Sequence, residues 1–415
     1  MTADTIGGVW TYALELAQGL GRRGHSVALA TMGEPLSPAQ RWAARQIPGL
    51  TVYESRYRLE WMDDPWADVA EAGQWLLELA ARVRPDVVHL NGYCHAGLAW
   101  PAPVLVVAHS CVLSWWLAVK GEEVPVGWQR YAETVRRGLR AADLVAAPTR
   151  AMLDSLETCY GRLPAAVFIP NGRSPRPPAS GPKQPVIFSA GRLWDEAKNI
   201  ELLEQAAPGL AWPVVVVGDR TRPGEAPRDR AEAEAGPLQW LGVLPPAEMS
   251  GWLARASIYA LPARYEPFGL SVLEAALAGC ALVLGDIPSL PENWQGEAIF
   301  VSPDNAQGLH EALEDLIADE GLRERLGRAA HRRGLTFSPD RMTAAYLAVY
   351  AELRHRHLAG RAARTTQTPT AARRRDRDEQ QVAASLSLAT RLALAPARHT
   401  ERAALVRPGG GRSRS

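Results

Sequence analysis

Two glutamates, Glu266 and Glu274, frame the stretch Pro267-Phe268-Gly269-Leu270-Ser271-Val272-Leu273. The apolar run Ser257-Ile258-Tyr259-Ala260-Leu261 before it has the length of a strand, and Pro262 ends it. From about Leu270 to Gly279 the spacing predicts a helix. One carboxylate therefore stands in a loop and the other in the first turns of a helix. Between them lie backbone amides with no partner inside the helix, and such amides seat anions such as a diphosphate. Carboxylates also accept paired hydrogen bonds from vicinal hydroxyls. An anion cradle flanked by two diol-binding groups suits a nucleotide sugar. The plainer alternative is a surface helix with ordinary first-turn acids, which the helix dipole favours.

A second cluster lies upstream. Ser189-Ala190-Gly191-Arg192-Leu193 follows a predicted strand, and Lys198-Asn199 opens the next helical pattern. Arginine supplies a planar fork and lysine a point charge, so Arg192 and Lys198 can surround a diphosphate. Such cations stabilise charge as a nucleoside diphosphate departs, the work a metal does elsewhere. The chain has only three lysines, Lys120, Lys183 and Lys198, which makes one in a chemically sensible place more informative. In Thr5-Ile6-Gly7-Gly8-Val9, before the first helix, Gly7 and Gly8 permit close backbone approach to a phosphate or sugar. This is not the dinucleotide glycine pattern, so nicotinamide-dependent oxidoreduction is disfavoured. His109 ends the predicted strand Val104 to Ala108, and Pro170-Asn171-Gly172 reads as a turn leaving a strand.

These residues need a scaffold, and the chain alternates short apolar strands with helical patterns. Strands are expected at Val27 to Ala30, Asp86 to Leu90, Val104 to Ala108, Leu144 to Ala146 and Ala166 to Ile169. After a Pro-, Gly- and Ser-rich segment, Pro170 to Pro185, they resume. The second set is Val186 to Ala190, Val214 to Val217, Leu238 to Leu241, Ile258 to Leu261, Ala281 to Leu284 and Ala298 to Val301. The alternation predicts α/β architecture: two doubly wound domains in tandem with the crevice between their strand ends as ligand site. Only Met1 to Asp4 precede the glycine turn, so the first strand is expected to be truncated.

Composition fits this picture. The 415 residues are 47% hydrophobic and 22% charged, which is globular, and no apolar run approaches a membrane span. The N-terminus shows no basic-then-apolar leader, and four dispersed cysteines suggest free thiols, so a cytoplasmic location is expected. The net charge of +1 divides unevenly: residues 361–415 carry +8, their cations all Arg, and the remainder −7. That tail is low in complexity and is expected to be disordered; it lacks aromatics, so no nucleic-acid partner is expected.

Taken together, these motifs resemble the retaining glycosyltransferases of family 4, with the GT-B architecture of two facing Rossmann-like domains. The resemblance covers roughly residues 1 to 358. It implies an acceptor-binding domain over 1–170 and a nucleotide-sugar-binding domain over 183–338. A helix over 339–358, placed to return to the first domain, and the basic tail over 361–415 follow. Position by position, Arg192 and Lys198 match the pair that neutralises the donor diphosphate. Glu274 matches the glutamate that holds the ribose hydroxyls, and Glu266 the one near the transferred sugar's reacting face. Amides of Phe268, Gly269 and Leu270 would contact sugar and phosphate. Gly8, with Gly7 beside it, would approach the diphosphate, and His109 would sit near the sugar. The implied reaction moves a hexose from a nucleotide-diphosphate sugar to a hydroxyl acceptor with retention, needing no cofactor and no metal. The donor could be UDP-, GDP- or ADP-linked, and the acceptor a sugar, a lipid-linked sugar or a small metabolite. Trp115-Trp116, Lys120 and the Trp61 to Trp66 loop are candidate acceptor contacts. Peripheral membrane association stays open, although no basic amphipathic helix supports it.

Two departures from the family pattern stand out. Ser110 follows the histidine where an acid is common, and the glycine loop lacks the lysine of glycogen and starch synthases. A nucleotide-sugar epimerase, a sugar phosphorylase, or a non-catalytic nucleotide-sugar-binding copy would use the same fold.

Overall fold

The structure is a computed structural model describing residues 1–5, 7–175, 181–221 and 236–365. Runs such as Val214–Val217, apolar on both faces, are stable only inside a parallel sheet covered on both sides. In the N-terminal half, β1 (Thr2–Asp4), β2 (Val27–Met32) and β3 (Leu50–Glu54) pair in parallel in that order. A second parallel sheet runs β4 (Val88–Leu90), β5 (Val104–Val107), β6 (Leu144–Ala147) and β7 (Ala166–Phe168). β1 lies beside β4. With three residues it cannot build a full ladder, and a side chain takes over. Asn91, just past β4, donates its backbone N–H to Thr2 Oγ1 at 2.9 Å and its amide nitrogen to the Thr2 carbonyl at 2.7 Å.

Helices α1 (Gly8–Gly21), α2 (Pro38–Arg45), α3 (Trp66–Val83), α4 (Val112–Lys120), α5 (Gln129–Ala141) and α6 (Arg150–Tyr160) connect these strands. Neither β3 nor α2 was expected from apolar periodicity. Residues of β3 are at most half-buried, and α2 buries only Ala44. A capping box between Ser37 and Gln40 marks α2 instead.

The C-terminal half holds β8 (Gln184–Ala190), β9 (Val214–Val217), β10 (Leu238–Trp240), β11 (Ala256–Leu261), β12 (Ala281–Gly285) and β13 (Ala298–Val301). They form one parallel sheet in the order β10-β9-β8-β11-β12-β13. The chain works outward from β8, then crosses back to β11 and works outward the other way. The order reverses between β8 and β11, the place where open α/β sheets bind ligands beyond the carboxyl ends of their strands. Helices α7 (Ile200–Ala206), α8 (Pro246–Arg255), α9 (Leu270–Leu277), α10 (Ser289–Trp294), α11 (Ala306–Ala318) and α12 (Glu320–Gly334) cover the sheet.

The last helix, α13 (Pro339–Thr365), is longer than expected and continues past residue 361, where the composition changes. Its Met342, Ala345, Tyr346, Val349 and Leu353 form a helical stripe. They are buried in the same core as Ala13, Leu16 and Leu20 of α1, in the N-terminal half. Residues 366–415, on which the expectation of a disordered tail falls, lie outside the described residues. No helix among the described residues is long and apolar enough to cross a membrane.

Candidate active site

The carboxyl end of β8 delivers Gly191 and Arg192 to the point where the strand order reverses. Asp195 then caps the one-turn 3-10 helix Glu196–Lys198, its carboxylate accepting from the Ala197 N–H at 3.1 Å. Asn199 follows with a positive φ of 55°, and its side-chain nitrogen donates to the carbonyls of Pro262 and Pro303, both at 2.8 Å. The Ala197 carbonyl accepts from the Arg264 N–H at 2.9 Å. The Lys198 turn is thus laced to the loop that leaves β11.

That lacing sets Lys198 Nζ 2.6 Å from Glu266 Oε2, with the two side chains only 14% and 13% exposed. The other Glu266 oxygen accepts from the Gly269 N–H at 2.9 Å and more weakly from Phe268 at 3.4 Å. Burial pushes the Glu266 carboxyl up, but Lys198 and these two amides outweigh it and the net shift is downward. The group is therefore an anion at neutral pH. This differs from the expectation that the Phe268 and Gly269 amides stand open to a ligand. A carboxylate just ahead of α9 turns back onto the positive end of that helix. Arg192 is the more open cation, 41% exposed, with Nη2 3.1 Å from Asp195 Oδ2.

Across the cleft stands the glycine loop. A Cβ on Gly7, whose φ is +84°, would lie 3.9 Å from Arg192 Nη1. A Cβ on Gly8 would lie 3.2 Å from Leu270 Cδ1, so a side chain there would press directly on the start of α9. The two halves also touch beside Glu266. The Tyr265 hydroxyl accepts from the Cys111 N–H at 3.2 Å and lies 3.0 Å from Ser114 Oγ. Trp115 and Lys120 were candidate acceptor contacts, and the structure employs them otherwise. Trp115 Nε1 donates to Asp195 at 2.9 Å, and Lys120 pairs with Glu196 at 2.5 Å. The cause is the packing of α4 against the 3-10 turn. Trp61 and Trp66 pack on the N-terminal core, with the Arg130 guanidinium 4.7 Å above Trp66.

His109, expected to end the strand, lies two residues past β5 and stands in a defined tautomer. A backbone carbonyl only accepts, so the Asn91 atom facing the Thr2 carbonyl is nitrogen. Asn91 Oδ1 then faces Nε2 of both His109 (2.9 Å) and His89 (3.1 Å), and each ring donates to it. His89 Nδ1 accepts from the Tyr350 hydroxyl of α13 at 2.6 Å. Nδ1 of His109 is left as a lone pair. The Tyr12 ring meets His109 edge-on at 4.4 Å, and burial lowers the His109 pKa to about 3. The histidine is neutral at physiological pH.

Glu274, on α9, is held by Arg173 Nε at 2.7 Å. Sequence reasoning missed Arg173, Asn91, Asp195 and Tyr265. Asp195 and Asn199 flank Lys198 as residue types suited to a cap and a left-handed turn, a signal that was available. Arg173 carried none, being one arginine among many. Among the described residues, no group of three or more His, Cys, Asp or Glu side chains is placed to hold a metal ion.

Two facing Rossmann-like domains with charged groups gathered at the cleft define the GT-B class of glycosyltransferases. Residues 6–176 match the family described as Glycosyltransferase Family 4, and residues 172–333 match Glycosyl transferases group 1. Glycogen synthase of Mycobacterium tuberculosis is 26% identical over 385 residues, covering 81% of this chain and 91% of that protein. D-inositol 3-phosphate glycosyltransferase of Xylanimonas cellulosilytica is 28% identical over 390 residues, covering 83% and 92%. The crystal structure of Anabaena HepE in complex with UDP-glucose shares the fold. Its TM-score is 0.63 at 16% identity, covering 85% of this chain and 99% of that one. The chain belongs to the glycosyltransferase family 4 type and is a nucleotide-sugar glycosyltransferase.

Proposed function

We propose that this enzyme transfers a hexose from a nucleotide-diphosphate sugar to a hydroxyl acceptor with retention at the anomeric carbon, and that no metal takes part. The observation that carries this reading is the Lys198–Glu266 pair at 2.6 Å, set at the reversal point beside Arg192 and opposite Gly7 and Gly8. On this reading Arg192 and Lys198 receive the donor diphosphate, and the glycine loop closes on it. Glu274 holds the ribose hydroxyls, while Glu266 and His109 lie along the sugar. Nδ1 of His109 is the acceptor for one of its hydroxyls. The bond from the anomeric carbon to phosphate breaks as the acceptor oxygen bonds to the same face. The acceptor's proton passes to the departing phosphate oxygen, so no side-chain base is required. The two cations stabilise the charge that collects there.

A UDP-linked donor is favoured by the likeness to HepE, whose structure holds UDP-glucose. The two relatives' names point to different products, so no acceptor is proposed. Thermal-shift measurements with UDP-, GDP- and ADP-sugars test the reading, since a ligand that binds only the folded state raises its melting temperature. One donor should stabilise the protein, and EDTA should not abolish the effect. NMR of the product with a matched acceptor should show the donor's anomeric configuration. No shift with any donor, or strict metal dependence, would remove the proposal.

A further inference from the structure

Arg173 is a mostly buried cation that the reaction above does not use. It follows Asn171-Gly172 and is held at both ends. Its N–H donates to the Phe337 carbonyl at 3.0 Å, and its side chain, 16% exposed, lies between two carboxylates. Nε donates to Glu274 Oε1 at 2.7 Å and Nη1 to Glu15 Oε2 at 2.8 Å. The other Glu15 oxygen accepts from Ser174 Oγ at 2.5 Å, so Glu15, itself only 7% exposed, is fully engaged. Glu15 belongs to α1 in the N-terminal half and Glu274 to α9 in the C-terminal half. Among the described residues, the second oxygen of Glu274 accepts no hydrogen bond.

A carboxylate on a helix flank has several rotamers, and a ribose diol requires one orientation. An arginine fork clamps a carboxylate oxygen in a fixed plane in a way a point charge does not. We propose that Arg173 is a positioning residue for the donor nucleotide: it holds Glu274 with one oxygen engaged and the other presented to the ribose hydroxyls. Through Glu15 it also ties that orientation to the seating of α1 against α9. The inference rests on the assignment of Glu274 to the ribose made above, and it adds a residue to that site.

Calorimetry on the full chain tests it, with UDP, GDP and ADP each set beside its 3′-deoxy counterpart. The wild type should prefer the ribonucleotide. Arg173→Gln should weaken the ribonucleotide about tenfold, the loss expected of a charge-assisted bond network. The deoxynucleotide should weaken much less, so the preference collapses. Equal weakening of both, or of neither, would overturn the inference and leave Arg173 as a strut between domains. If Arg173→Gln does not fold, Arg173→Lys carries the same test. A point charge cannot hold both carboxylates, so the preference should fall, and full retention overturns the inference. Failure of the broader reading looks different: the wild type would bind no nucleoside diphosphate, or would bind one without distinguishing the deoxy form.

Discussion

Lys198 and Glu266 form a pair whose members depend on each other. Truncating the lysine to alanine would leave a mostly buried carboxylate with only two amides for company, a cost to stability that obscures any effect on rate. Lys198→Gln keeps a donor for Glu266 and removes the charge aimed at the leaving group. Turnover should fall by about 10²–10³, as when a transition-state donor is lost, with the circular dichroism spectrum unchanged. His109 gives a prediction about pH. Its pKa is near 3 in the folded chain and 6.5 when unfolded, because burial disfavours the imidazolium. The unfolded state therefore takes up the proton first as pH drops. The stabilisation is complete above about 6.5 and is lost as pH falls toward 3. Urea titrations between pH 6.5 and 5 should show stability declining. His109→Gln should reduce that slope by about one proton, while His89, also buried and shifted downward, keeps its share.

Among the elements, the link between the halves is the most constrained. Gly172 has no need of a positive φ; it is small because α13 begins against it. A Cβ there would come within 2.5 Å of the Ser338 carbonyl oxygen and 2.7 Å of the Pro339 nitrogen. Both are backbone atoms and cannot step aside, so Gly172→Ala should cost about 1–3 kcal/mol, the range for overpacking. A lower urea midpoint with unchanged cooperativity is the expected result. A turn was expected at Pro170-Asn171-Gly172, but residues 169–175 run without one, and the reason for the glycine was not legible in the sequence. That reason is an element starting more than 160 residues later. Similarly, most strands of the second half were legible because they are apolar on both faces, whereas β3 and α2 were not, being half-exposed.

For the molecule as a whole, the question is what holds the cleft closed. Glu292 of α10 accepts from the backbone N–H groups of Arg150 (2.8 Å) and Ala151 (2.9 Å), capping α6 from the opposite domain. Thr149, ahead of the same helix, donates to the Pro267 carbonyl at 2.9 Å. A helix N-terminus in need of acceptors thereby becomes a latch. Glu292→Ala should remove about 1 kcal/mol of capping. In nucleotide-free protein, small-angle scattering should then report a larger radius of gyration, with helix content preserved. An unchanged radius would mean that Tyr265, Trp115–Asp195 and Lys120–Glu196 suffice to keep the halves together.

The sequence by itself determined the parallel α/β architecture, the cations at the end of β8 and the two glutamates after β11. Apolar runs and strand-end motifs are local patterns, and local patterns are written in consecutive residues. Only the tertiary structure decided that Lys198 meets Glu266, that Asn91 orients His109, and that Arg173 spans Glu15 and Glu274. The partners in those contacts lie from 18 to 158 residues apart in the chain. No spacing rule links such positions; the fold brings them within hydrogen-bonding distance.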